Sequence, residues 1–135
     1  MVYDRRMKNI LIVTAVLAAS VAASVVSYAA DAKAPASPVR EFKSVNIEVK
    51  GNKIWSPSFF VVKKGDKVKI TLVNTAASGV HAFSIEGIPG TTVSVNNKKG
   101  DNTKVVEFTA DTAGIFRIYC PMHAAHVGGQ LLVLE

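Results

Sequence analysis

A single cysteine, Cys120, stands in the 135 residues, so the chain can form no intramolecular disulfide. Exported proteins usually carry their cysteines in pairs. A solitary one is a buried inert thiol, an intermolecular crosslink, a nucleophile or a metal ligand. Beyond residue 30 no segment keeps an apolar stripe at a 3.6-residue period, which excludes an amphipathic helix as the organising element. Without a helix there is no strand-to-helix turn to activate the thiol, and this weakens the nucleophile reading. The formal net charge is +6, yet the lysines are scattered, without the arginine-rich or aromatic interleaving of a nucleic-acid surface. They read as a solvated basic face with at most a weak preference for acidic partners. No internal repeat is visible, and the length has room for one domain.

What is present begins with Arg5, Arg6 and Lys8 ahead of an apolar run from Ile10 to Ala23, followed by Ser27-Tyr28-Ala29 as small residues before a cut. That is the layout of a secretory signal peptide over residues 1–29, with Met7 as an alternative start, and it predicts a periplasmic or otherwise exported protein. The stretch from Ile10 to Ala30 also approaches the roughly 20 residues that cross a bilayer, so an uncleaved anchor is the alternative and the only expected membrane contact. No cysteine lies at the cut, which excludes lipid attachment there. Cleavage would remove Asp4, Arg5, Arg6 and Lys8 and lower the net charge from +6 to about +4. Residues 30–42, with Pro35 and Pro38 and no periodicity, read as a flexible linker.

From residue 43 the period becomes two. Val45, Ile47 and Val49 alternate with Asn46, Glu48 and Lys50, a half-buried strand with the apolar set inward. Further strands are expected at Phe59 to Val62, Val68 to Leu72, His81 to Ile85, Thr92 to Val95, Lys104 to Thr109, Ile115 to Tyr119 and Leu131 to Leu134, separated by Gly, Pro, Asn and Asp turns. Seven to eight short strands at this spacing predict an all-β, antiparallel Greek-key sandwich over residues 43–135.

The chemistry concentrates in Tyr119-Cys120-Pro121-Met122-His123-Ala124-Ala125-His126-Val127-Gly128-Gly129. A thiolate and two imidazoles on one loop suit copper or zinc, and neither calcium nor magnesium. Inter-strand loops gather at the ends of a sandwich, so the loop before His81 can bring a third imidazole to the same place. His81, Cys120, His123 and His126 are therefore the expected metal ligands, with Met122 taken as packing and structural zinc as an alternative ion. Pro121 restricts the loop, and Gly128-Gly129 allows its tight return into the last strand.

Val61-Val62-Lys63-Lys64-Gly65-Asp66-Lys67-Val68, Ile70, Asn74, His81, Phe108 to Phe116 and Tyr119-Cys120-x-x-His123 together resemble the cupredoxins, small copper proteins built as Greek-key sandwiches. The resemblance spans about residues 45 to 135. It implies one mononuclear copper on His81, Cys120 and His123, and an exported one-electron carrier that serves redox partner proteins. His126 stands where blue-copper members of the family have a methionine. Among cupredoxins the loop is most similar to that of the nitrosocyanins, with Cys-x-x-His and then another His, which implies as the alternative a copper site that binds or transforms a small molecule such as nitric oxide. An imidazole as the fourth ligand would favour copper(II) and a tetragonal geometry.

Overall fold

The computed structural model describes residues 38–77 and 79–135. The expected signal segment and most of the expected linker lie outside the described residues. Among those described there is no helix, and the strands are β1 (Val39–Val49), β2 (Asn52–Ser56), β3 (Phe59–Lys63), β4 (Lys67–Asn74), β5 (His81–Ile85), β6 (Val93–Val95), β7 (Thr103–Thr109), β8 (Gly114–Tyr119) and β9 (Gly129–Leu134). They form two sheets in the orders β2-β1-β4-β7 and β3-β9-β8-β5-β6. The all-β sandwich expected from the turn spacing is what the chain builds.

Three details differ from the expectation. The sheets are mixed: β1 runs parallel to β4, and β3 parallel to β9. From β2 to β5 the chain changes sheet at each connection, so neighbours in a sheet are seldom consecutive in sequence and need not be antiparallel. Secondly, β2 was missed. Val49 pairs with Asn52 across a two-residue turn, Lys50-Gly51, whose φ angles of 49° and 81° are both positive. That hand matches the strand twist and favours a hairpin, but Lys-Gly lacks the Asn-Gly signature that announces one. Thirdly, β1 begins at Val39, inside the span expected to be linker, because Val39 to Asn46 has a parallel partner in Lys67 to Asn74.

The inward face of β1 is also the opposite of the one expected. Ser44 and Asn46 are buried and Val49 is 52 % exposed. A strand displaced by one residue exchanges its faces completely. Here the polar set turns inward because it is met there: Ser44 Oγ donates to the Pro57 carbonyl at 2.8 Å, and the Asn46 amide meets His126.

Elsewhere alternation reads as expected. On β4, Val68, Ile70, Leu72 and Asn74 point inward and the lysines outward. The core joins Val68, Ile70 and Leu72 to Trp55, Phe60, Phe83, Ile85, Val106, Ile118, Leu131 and Val133. Trp55 meets Phe83 edge-on with ring centroids 5.8 Å apart, and its Nε1 donates to the Ala82 carbonyl at 3.0 Å. An indole is well buried only when its N–H is satisfied, and this one ties the edge strand β2 to β5 of the other sheet.

The β3–β4 turn is held by Asp66, whose Oδ2 accepts from the Lys63 amide at 2.9 Å and from Arg40 Nε at 3.1 Å. The Lys63 amide first, and then Arg40, hold its carboxyl below the usual carboxylate range. A carboxylate depressed in the folded state stabilises it above the unfolded value of about 4, and that contribution is lost as pH falls through the folded pKa. Asp66→Asn is therefore expected to lower the urea midpoint at pH 7 and pH 5, with the gap from the unaltered protein closing as the pH falls through the lowered pKa of Asp66. A gap that persists undiminished into acid would show that the charge contributes nothing.

Candidate metal centre

Two separate parts of the chain supply the site. Asn74, at the end of β4 and fully buried, fastens the loop that leads to His81: its Nδ2 donates to the carbonyls of Gly79 at 3.0 Å and Val95 at 2.9 Å, and its Oδ1 accepts from the Ala76 amide at 3.1 Å. An Asn bonding its own backbone two residues on is a local turn device. The loop therefore delivers His81 to the head of β5, where it pairs with Val95 and is 2 % exposed.

The second part follows β8. Ser84 of β5 pairs with Tyr119, which brings Cys120 beside the start of β5. The Ala82 amide donates to Cys120 Sγ at 3.4 Å. Ala82 is thus held from both sides, by the thiol on its N–H and by Trp55 on its carbonyl, and it fixes the sulfur against a rigid strand. Beyond Cys120 the loop turns twice, with the His123 amide donating to the Cys120 carbonyl at 3.4 Å and the His126 amide to the His123 carbonyl at 3.1 Å. It is then anchored by the Val127 amide on the Lys53 carbonyl at 2.8 Å.

These parts bring His81, Cys120 and His123 together, each with one ligand atom within 4.8 Å of the others. Cys120 Sγ lies 3.5 Å from His123 Nδ1. Two ligands on one ion, at bond lengths of about 2.3 Å to sulfur and 2.0 Å to nitrogen, stand about 3.5 Å apart in a tetrahedral arrangement. The donor set, one thiolate and two imidazoles in a mostly buried pocket, fits a copper ion chemically. His81 and Cys120 are buried and His123 is exposed.

His126 lies beside this trio and outside it. Its ring centroid is 5.3 Å from that of His81 and 6.4 Å from that of Trp55, stacked on the indole at 28°. Its Nε2 is 3.2 Å from Asn46 Nδ2 and its Nδ1 is 3.2 Å from the Val127 carbonyl oxygen. Burial lowers its pKa, with His81, His123 and Lys53 adding to the effect and the Val127 bond opposing it. Met122 is 52 % exposed, and its sulfur accepts from Ser94 Oγ at 3.8 Å. A cavity of about 250 Å³ beside the trio is lined by Lys53, Val80, His81, His123, Ala125 and His126.

Sequence reasoning missed Asn46, Trp55 and Ala82. The alternation in the sequence puts Asn46 on the solvent face, and Ala82 acts through backbone groups that no side-chain pattern reveals. Trp55, the single tryptophan, was the one detectable signal, since an indole among short strands is usually buried.

No curated protein matches the sequence. Among solved structures, a copper nitrite reductase from Nitrosomonas europaea superposes with a TM-score of 0.59 at 23 % identity, covering 71 % of this chain and 41 % of that one. A laccase from Botrytis aclada superposes at 0.58 with 13 % identity over 75 % of this chain and 23 % of its own. A blue copper oxidase from Nitrosomonas europaea does so at 0.52 with 17 % identity over 71 % and 39 %. This chain thus spans less than half the length of each, and at these identities the likeness is one of fold. The sequence also matches the cupredoxin-like domain over residues 11–133. With a two-sheet frame that gathers His81, Cys120 and His123 at one end, the match leads to one conclusion: the chain belongs to the cupredoxin-like domain family.

Proposed function

We propose that this is an exported protein that holds one copper ion on His81, Cys120 and His123 and acts as a one-electron carrier. The observation that carries the reading is the division of the trio: two donors are buried, His81 at the head of β5 and Cys120 just past the end of β8, and one imidazole, His123, reaches the surface. Copper bound there supplies the redox change, between +1 and +2. The chain supplies rigidity. Asn74 fastens His81, Ala82 orients the thiol, and the Lys53–Val127 bond secures the ligand loop, so that few groups have to move when the charge changes. The exposed residues Met122, Ala124, Ala125 and Val127 surround His123 with apolar surface on which a redox partner could dock.

Metal analysis of the purified protein, with visible and electron paramagnetic resonance spectra and a redox titration, tests this. One copper per chain, a sulfur-to-copper absorption and a reversible one-electron couple are expected. Zinc alone, or no reversible couple, would sink the proposal. Ala125→Asp is expected to slow electron exchange with partner proteins several-fold while the spectrum stays unchanged. Equal rates would remove the docking surface from the account.

A second reading is favoured by the cavity beside the trio: binding or transformation of a small molecule such as nitric oxide, which the likeness of the loop to the nitrosocyanins also implies. Lys53 in its lining would attract anions. A spectral change on adding azide or nitric oxide would support this reading, and its absence would support the carrier alone. For His126 to be a ligand as well, it would have to give up one of its two hydrogen bonds.

A further inference from the structure

The hydrogen bonds around His126 determine one another. The Val127 carbonyl can only accept, so the contact to Nδ1 puts the ring proton there. Nε2 is then left with a lone pair, which accepts from Nδ2 of Asn46, a residue 80 positions earlier in the chain. A single neutral tautomer satisfies both contacts. Asn46 is 0 % exposed, and its Oδ1 has no hydrogen-bond partner among the described residues. Its bond to His126 is therefore what compensates the burial of its amide group.

We propose that Asn46 is a positioning residue that sets the coordination number of the metal centre: by holding Nε2 of His126 it keeps that imidazole as a wall, leaving the ion His81, Cys120 and His123. The inference rests on the metal-centre reading above. If Nε2 turned to the ion, the whole Asn46 amide would be stranded in a place that water does not reach. Nδ1 is no easier to recruit, because the backbone of the next residue holds it. Trp55, stacked on the ring and itself fixed through Ala82, resists tilting.

The test uses full-length protein labelled with nitrogen-15 and loaded with cadmium-113, whose coupling to ring nitrogens counts the imidazoles bound. In the unaltered protein, coupling to His81 and His123 alone is expected, and in the metal-free protein His126 should carry its proton on Nδ1. Asn46→Leu fills the same space without a donor, and Asn46→Ala serves as a second variant should the first not fold. In either, a third coupling, to His126, should appear. Coupling to His126 in the unaltered protein, a proton on its Nε2, or no third coupling in a folded variant would each overturn the proposal. Failure of the protein to bind cadmium or copper at all would instead overturn the metal-centre reading beneath it.

Discussion

Cys120→Ser is expected to abolish the visible absorption of the copper-loaded protein and to lower its copper affinity at least about a hundredfold, beyond the 10 to 100-fold typical of losing an outer partner. The sulfur is the one soft donor in the trio and the one that gives up a proton to the ion. A serine hydroxyl fits the space but does not ionise at neutral pH, so the site would keep two imidazoles and lose its charge. Cys120 otherwise behaves as a small buried apolar group, so the metal-free variant should melt within a few degrees of the unaltered protein. Chelator competition measures the affinity and calorimetry the stability. Retained colour would show that the ion binds elsewhere. A collapse of the metal-free protein would mean that the thiol serves packing first.

Gly129→Ala is expected to destabilise the frame strongly. A Cβ at Gly129 would lie 1.9 Å from the Ser58 carbonyl oxygen, which no rotation can relieve because both atoms are held by the backbone. Beside it Gln130 donates to that same carbonyl at 2.8 Å, so the methyl group would force β9 away from the residue that leads into β3. Overpacking costs about 1 to 3 kcal/mol, occasionally more, and a clash with fixed backbone belongs at the upper end. About 3 kcal/mol would lower the melting temperature of a domain this size by more than about 10 °C. Gly128, where a Cβ would lie 2.9 Å from the Ile118 carbonyl oxygen, should be less sensitive. The ligand loop ends at these two glycines, so Gly129→Ala should also weaken copper binding in whatever fraction stays folded. A melting temperature within about 2 °C of the original would refute this account of the loop's return.

Both expectations concern residues that the sequence pointed to directly. Cys120 was conspicuous because it was alone, and Gly128-Gly129 because a loop crowded with side chains needs a tight exit. His81 was harder to find. Nothing local separates it from a surface histidine at a strand end, and only the gathering of loops at one end of a sandwich made it a candidate. Asn46 was read wrongly. Its neighbours Val45 and Ile47 carry the apolar pattern, and a rule that turns apolar residues inward must turn Asn46 outward.

Determined by the sequence alone were the all-β class, the loop that bears the chemistry and the resemblance to the cupredoxins, because strand period, turn residues and ligand spacing are properties of short stretches. The tertiary structure alone decided which face of β1 is buried, that two strand pairs are parallel, and that His126 is occupied by Asn46 and Val127 while His81, Cys120 and His123 stand together. The physical reason is that a buried polar group is stable only where a partner meets it. For Asn46 that partner comes from the far end of the chain, where no local pattern could have announced it.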